Sequence, residues 1–200
     1  MRRLITVLLI IVCFQAAAQM KGYQPGSIVS NFNLKNVDNK NVSLNDYSTA
    51  KGYVVVFTCN TCPVSHAYEQ RIIELHNEYA AKGFPVIAVN PNDPEVSKGD
   101  TFKEMQDRAK SKKYPFAYLY DPGQTVTKQF GAERTPHVYL LSKTNEGNKV
   151  AYIGAIDNDG EDTNPQKVKY LDNAINDLLA GNQPKVNFTK AVGCTIKSKK

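Results

Sequence analysis

A predicted strand meets a predicted helix in the stretch YVVVFTCNTCP, residues 53–63. The first five residues are apolar and mostly β-branched, which is typical of a buried strand. After Pro63, apolar residues recur at three- or four-residue steps as far as Tyr79, which predicts one face of a helix. Proline is favoured at the first helical position, where its missing N–H needs no partner. The pattern therefore places Cys59 and Cys62 between a core strand and a helix N-terminus.

This position favours thiol chemistry. Free N–H groups and the helix dipole stabilise negative charge at a helix N-terminus, so the pKa of a cysteine thiol falls there. The thiolate is the attacking species in disulfide exchange. We expect Cys59 to be the exposed nucleophile and Cys62 the resolving thiol, since a two-residue spacer lets the pair close a small ring and release a mixed disulfide internally.

Two other interpretations fit a Cys-x-x-Cys pair, a zinc half-site and an inert structural disulfide. A structural zinc site uses four ligands. The further candidate ligands show no second paired spacing; they are His66, His76, His137 and Cys194. Because the pair stands between a strand and a helix, the setting favours redox chemistry, and we expect no metal and no cofactor.

Residues 1–18 have the pattern of a secretory signal peptide. Arg2 and Arg3 are followed by an apolar run and by three alanines before Gln19. The alternative is a membrane anchor, but the apolar run is shorter than the ~20 residues that a spanning helix needs. We therefore expect a periplasmic protein without stable membrane insertion. Cleavage would remove Cys13 and leave three cysteines.

The charge distribution argues against a nucleic-acid-binding face. The formal net charge is +6, with 25 basic and 19 acidic residues. Four lysines lie in residues 190–200, which hold no acid, and two arginines lie in the predicted signal peptide. The remaining body is balanced in charge, whereas nucleic-acid-binding domains carry a basic patch or stripe. We expect the basic tail to be solvated and frayed.

Alternation of apolar runs and amphipathic segments predicts an α/β fold. A hairpin is expected over 33–44, with its turn at Asp38-Asn39-Lys40. Thr101 and Glu104 fit a capping box that opens a surface helix, and Asn164-Pro165 is expected to cap the last helix. The expected strands and helices after the hairpin are strands 53–57, 84–89, 116–120, 137–142 and 149–156, and helices 63–83, 101–113, 126–130 and 164–181.

These elements and three motifs resemble the thioredoxin-fold redoxin family, the AhpC/TSA group of thioredoxin-like reductases and peroxiredoxins. The motifs are Cys59 to Pro63, Thr135-Pro136 and Gly193-Cys194-Thr195-Ile196-Lys197. The resemblance implies a thioredoxin-like fold with a central mixed sheet flanked by helices and an N-terminal β-hairpin extension. It also implies a cis proline at Pro136, where Thr135 offers its backbone to substrate; the alternative is a trans proline at a strand start.

The resemblance suggests four segments: the signal peptide 1–18, a linker 19–26, a thioredoxin-like domain 27–189 and a cysteine-containing basic tail 190–200. Several positions depart from the family pattern. Thr58 stands where thioredoxins hold tryptophan, and Tyr53 where they hold a buried aspartate. The peroxiredoxin motif Pro-x-x-x-Thr/Ser-x-x-Cys is absent, because Gly52 and Val56 occupy its proline and threonine positions before Cys59.

Three further residues are candidate modulators. His66 follows Cys62 by one helical turn and could transfer a proton; the alternative is a partly exposed helix residue. Arg134 stands near the arginine that peroxiredoxins set against the reactive sulfur, or is a surface loop residue. Cys194 has three possible roles, a second resolving thiol, a site of intermolecular pairing or a buried inert cysteine.

The sequence is best explained by an exported thiol–disulfide oxidoreductase. Its partners would be protein or small-molecule disulfides and thiols, together with an upstream electron donor. One alternative is a thiol-dependent peroxidase of the peroxiredoxin type, against which the missing peroxidatic motif argues. Another is a binding module that uses the same groove with an inert disulfide.

Overall fold

The computed structural model describes residues 22–199. The predicted signal peptide, the first residues of the predicted linker and Lys200 lie outside the described residues. The described part contains ten strands and four α-helices. The strands are β1 (Ile28–Val29), β2 (Asn33–Asn36), β3 (Asn41–Ser43), β4 (Gly52–Phe57), β5 (Val86–Asn90), β6 (Ala117–Tyr120), β7 (Arg134–Thr135), β8 (His137–Thr144), β9 (Gly147–Gly154) and β10 (Cys194–Thr195). The helices are α1 (Pro63–Tyr79), α2 (Phe102–Lys112), α3 (Thr125–Phe130) and α4 (Tyr170–Leu179).

Eight strands form one mixed sheet in the order β1-β9-β8-β4-β5-β6-β2-β3. β4 pairs in parallel with β5 and antiparallel with β8, so it lies at the centre of the sheet. The connection from β4 through α1 to β5 is the predicted crossover between parallel strands. β2 and β3 form the predicted hairpin at one edge. The α/β, thioredoxin-like fold class is confirmed.

Burial explains why β4 is uniformly apolar. All six of its residues are buried, because helices or loops cover both faces of the sheet. Val54 and Val56 face a cluster that includes Tyr68 and Ile72 of α1. Val55 faces the opposite cluster, on the side of the hairpin and α3. The central strand therefore has two apolar faces, and Cys59, two residues beyond its end, is buried against the body of the protein.

A buried ion pair joins α1 to the segment after β9. Arg71 Nη1 lies 2.6 Å from Asp157 Oδ2, and both side chains are almost fully buried. Tyr68 donates its hydroxyl to Asp157 at 2.9 Å. Arg71 also donates to the backbone oxygens of Asp159 and Gly160. The hydrogen bonds around both charges explain how the pair can exist away from water.

Three expectations about helices and the tail are corrected. The last helix begins at Tyr170 rather than after Asn164, because the Asn164 side chain accepts from Gln166 N within a turn. Val168 is consequently outside the helix, and 44% of it is exposed. The predicted helix 63–83 ends at Tyr79, four residues before Gly83.

The third correction concerns the tail. Instead of being frayed, it includes the strand β10, which pairs with β7 in a second, two-stranded sheet. Backbone groups that follow this strand also bond to the body: Ile196 N–H donates to Glu133 O, and Asp93 N–H donates to Lys197 O. The lysine content suggested solvation, but these backbone hydrogen bonds fix the segment regardless of the charge of its side chains.

Candidate active site

Cys59 lies two residues after the end of β4 and is a free thiol. Only 4% of the residue is exposed, so the expectation of an exposed nucleophile is wrong. Its Sγ lies 3.2 Å from Thr135 Oγ1, a contact across 76 residues of sequence. The sulfur is buried because it packs against the Thr135-Pro136 segment instead of facing solvent.

Cys62 is the N-cap residue of α1, with Pro63 at the first helical position as predicted. Its sulfur is bonded to Cys194, 132 residues later in the chain. The structure therefore holds a Cys62–Cys194 disulfide, where the sequence led us to expect a bond between Cys59 and Cys62. Cys62 bonds to Cys194 because β10 brings Cys194 to the N-terminus of α1. The spacing of cysteines along the sequence carries no information about that approach.

Thr135 contacts both Cys59 and Cys62. Its peptide bond to Pro136 is cis, as the resemblance implied. Thr135 is 1% exposed, its hydroxyl faces Cys59, and its carbonyl oxygen lies 3.2 Å from Cys62 Sγ. Since Cys62 is in a disulfide and carries no S–H, the second contact is a close sulfur–oxygen approach. The three cysteines thus meet around one threonine.

The two other candidate modulators have different neighbours from those expected. The exposed His66 places Nε2 against the backbone oxygen of Asn60, inside the loop between the cysteines. Arg134 is also exposed, and it donates from Nη1 to Thr195 Oγ1 at 3.1 Å. His66 therefore contacts the active loop, whereas Arg134 holds the tail and does not face a sulfur in the manner the peroxiredoxin resemblance suggested.

Asp100 organises the loop between the cysteines, and sequence reasoning missed it. The residue is fully buried, and its carboxylate accepts five hydrogen bonds. Oδ1 accepts from Asn60 N–H at 2.6 Å and from Asn90 Nδ2 at 3.0 Å. Oδ2 accepts from the side chains of Thr61 at 2.7 Å, Asn92 at 2.8 Å and Ser97 at 2.6 Å. This cluster, the Asp100 clamp, fixes both residues that separate Cys59 from Cys62.

Two opposing effects act on the pKa of the Asp100 carboxyl. Burial raises the pKa, but the hydrogen bonds from Ser97, Asn92 and Thr61 outweigh burial and hold the pKa below its ordinary value. Asp100 is therefore a carboxylate at neutral pH. The only sequence signal was its place just before Thr101, which caps α2 by accepting from Glu104 N–H. That signal marks a helix start and says nothing about the cysteines.

Cys59 also borders a second polar cluster. A small cavity beside it is lined by Ser65, Glu69 and Tyr114, among others. Burial raises the pKa of Glu69, but hydrogen bonds from Tyr114 and Arg108 outweigh it and lower the pKa overall. Ser65 Oγ is buried with no hydrogen-bond partner. A carboxylate and an unpaired hydroxyl therefore lie on the same cavity wall as the free thiol.

This arrangement can perform thiol–disulfide exchange. Such exchange needs a thiolate close to a disulfide and a leaving thiol that can move away. Cys59 supplies the free sulfur, and the Cys62–Cys194 bond supplies the disulfide. The Asp100 clamp and Thr135 hold Cys59 and Cys62 in fixed positions, while Cys194 is carried on a short terminal strand.

Comparison with protein families gives a match over residues 25–154 to the AhpC/TSA family. The thiol-disulfide oxidoreductase ResA of Halalkalibacterium halodurans is 27% identical over 125 residues, which span 62% of this chain and 66% of that protein. The matched region is thus just under two thirds of that relative's length.

Solved structures give the same fold. An uncharacterized conserved protein from Geobacillus kaustophilus is 32% identical, with a TM-score of 0.80 over 88% of this chain and 93% of that one. The peroxidoxin BcpB of Mycobacterium tuberculosis is 16% identical, with a TM-score of 0.53 over 64% of this chain and 83% of that one, and shows the fold alone. Within the described residues, no helix is both long enough and apolar enough to cross a membrane.

Proposed function

Because the chain belongs to the AhpC/TSA family, we propose that it is an exported thiol–disulfide oxidoreductase that uses Cys59 and Cys62 as its dithiol pair. One observation carries the proposal: Cys59 and Cys62 both lie 3.2 Å from atoms of Thr135, the residue before the cis proline. The signal-peptide pattern of residues 1–18 supports export. An oxidising compartment would also allow the Cys62–Cys194 disulfide to persist.

The proposed reaction starts from the reduced protein. The Cys59 thiolate attacks one sulfur of a substrate disulfide, and the substrate's other sulfur leaves as a thiolate and takes up a proton. Cys62 then attacks Cys59 in the mixed disulfide and releases the second substrate thiol. The substrate gains two electrons, and the protein is left with a Cys59–Cys62 disulfide. An upstream dithiol donor would reduce it again.

Substrate docking is assigned to Thr135 and Pro136. Thr135 belongs to β7, whose pairing partner among the described residues is the tail strand β10. A polypeptide substrate that pairs with β7 would place its own sulfur near the helix N-terminus, as the tail does for Cys194. The dipole at the start of α1 would stabilise the thiolate formed there.

The experiment is the dithiothreitol-dependent reduction of insulin by the full mature chain. Cys59→Ser should abolish turnover, and Cys62→Ser should accumulate a mixed disulfide between Cys59 and substrate. The double variant Cys59→Ser/Ser48→Cys is a matched control, since it restores the number of thiols at an exposed site that precedes β4, at the opposite end of that strand from Cys59. Full turnover by Cys59→Ser would show the proposed nucleophile to be wrong.

The same variants separate the peroxidase alternative. If hydrogen peroxide oxidises Cys59 orders of magnitude faster than it oxidises free cysteine, while insulin is not reduced, the protein is a thiol peroxidase. If neither reaction depends on Cys59, the non-catalytic binding module is the better description.

A further inference from the structure

The tail strand occupies the edge at which the proposed function docks substrate. Cys194 is paired with Thr135, and Thr195 with Arg134, in an antiparallel arrangement. Cys194 is at the same time disulfide-bonded to Cys62. A backbone strand at the cis proline and a sulfur on one cysteine of the pair are the two contacts that a bound polypeptide disulfide would make. In the proposed reaction the substrate's sulfur is bonded to Cys59, whereas the tail's sulfur is bonded to Cys62.

Gly193 shows that this approach is unusually close. A Cβ atom built on Gly193 would lie 2.1 Å from Thr135 O and 2.6 Å from Thr135 C. Both atoms are backbone, so they cannot rotate away as a flexible side chain would. The residue before the bonded cysteine must therefore be glycine for the strand to lie at this distance.

The tail is connected to the active loop through one asparagine. Asn92 donates from Nδ2 to Asp100 Oδ2 at 2.8 Å, and its Oδ1 accepts from Lys197 N–H at 2.9 Å. Gln124 donates from Nε2 to Lys197 O at 2.9 Å. When the tail is docked, Asn92 thus connects it by hydrogen bonds to the Asp100 clamp, which also fixes Asn60 and Thr61.

These contacts are made at the surface. Gly193, Cys194 and Ile196 are half-buried and Thr195 is exposed, while the buried apolar clusters contain no residue of the tail. β10 has two residues and one neighbouring strand. Once the Cys62–Cys194 bond is broken, the segment can therefore leave the body without exposing the core, because it gives up only a few hydrogen bonds.

We propose that residues 193–196 are an internal pseudosubstrate that blocks the docking edge, and that thiol–disulfide exchange by Cys59 releases it. The proposal rests on the proposed function and adds both a gate and a substrate class. The substrate is an extended polypeptide disulfide in which glycine precedes the cysteine whose sulfur becomes bonded.

The release step is balanced within the chain. The Cys59 thiolate attacks Cys62 Sγ, the Cys59–Cys62 bond forms, and the Cys62–Cys194 bond breaks. Cys194 leaves as a thiolate and takes up one proton from solvent, replacing the proton that Cys59 lost. No electron is gained or lost overall, so no outside oxidant or reductant is needed. Reduction of the new Cys59–Cys62 bond by the upstream dithiol donor then prepares the open protein for substrate.

The first test measures the isomers of the singly oxidised full chain. The protein is equilibrated in a glutathione buffer, quenched with acid, digested and analysed by mass spectrometry for Cys59–Cys62 and Cys62–Cys194 bridges. Gly193→Ala should raise the ratio of the first bridge to the second by at least about tenfold, because the added Cβ opposes docking. Gly160→Ala is the matched control, since a Cβ there would meet nothing within 4 Å, and it should leave the ratio unchanged.

The second test measures substrate preference. The acceptor is the reduced full chain carrying Gly193→Ala and Cys194→Ser, whose tail is expected to be undocked and unable to compete. The probes are the peptides Gly-Cys-Thr-Ile-Lys and Ala-Cys-Thr-Ile-Lys as mixed disulfides with glutathione. The glycine peptide should be joined to the protein about tenfold faster than the alanine peptide.

The outcomes are distinguishable. An unchanged bridge ratio in Gly193→Ala, or equal rates for the two peptides, overturns the pseudosubstrate proposal even if insulin reduction depends on Cys59. Conversely, a shifted ratio together with insulin reduction that survives Cys59→Ser overturns the proposed function and leaves the docking of the tail intact.

Discussion

Asp100→Asn is the substitution that examines the active loop most directly. The carboxylate accepts five hydrogen bonds at 2.6–3.0 Å and donates none. An asparagine keeps one oxygen and turns the other into a donor. The Oδ2 side is the better place for the new NH₂ group, because the hydroxyls of Thr61 and Ser97 can rotate to accept from it.

Asn92 cannot adapt in the same way. Its Nδ2 now faces another donor, and flipping its amide would turn Nδ2 towards Lys197 N–H, which is also a donor. One buried donor is therefore left without a partner in either arrangement, which costs ~1–3 kcal/mol. The remaining bonds lose the charge that strengthens them. We expect the free energy of unfolding to fall by ~3 kcal/mol and the melting temperature by ~6–12 °C.

The assay is urea denaturation followed by circular dichroism. Asp38→Asn is the matched control, because Asp38 is exposed and an asparagine oxygen can still accept from Lys40 N–H. The stability difference should also depend on pH. Because the pKa of Asp100 is lower in the folded protein, the stabilisation is present above the ordinary aspartate value and is lost as pH falls through the folded pKa. A loss no larger than that of Asp38→Asn would refute the account of the Asp100 clamp.

Three further outcomes are expected. Arg71→Met should lower the free energy of unfolding by ~3–5 kcal/mol, because it leaves Asp157 buried without its partner; the exposed-pair variant Lys103→Met is the control and should change it by less than ~1 kcal/mol. Burial lowers the pKa of His137 to about 4. Between about pH 6.5 and 4, this histidine is therefore protonated in the unfolded chain but mostly neutral in the folded protein. The wild type should therefore lose up to ~3 kcal/mol more than His137→Asn between pH 7 and 4 in denaturant titrations. Intact mass of the protein from its native host should correspond to a chain that begins at Gln19 or within a few residues of it, and a chain that still begins with its first methionine would contradict export.

The local patterns were sufficient for the elements around the cysteines. The apolar run before Cys59 and the helical spacing after Pro63 predicted β4 and α1, because each pattern reflects which side chains that element must bury. The hairpin and the capping residue of α2 were also found, since turn and cap preferences depend on a few neighbouring residues. The cis proline came from resemblance to a family and not from the residues alone.

The tertiary structure decided which sulfurs meet and what holds them. Cys62 bonds to Cys194 only because β10 crosses to β7, and nothing in the spacing of the cysteines encodes that pairing. Asp100 reaches Asn60 and Thr61 across about 40 residues, so its role depended on how the loop after β5 folds back. Short-range patterns record the preferences of neighbouring residues, whereas a disulfide and a buried carboxylate are fixed by the few long-range contacts that remain once the sheet has formed.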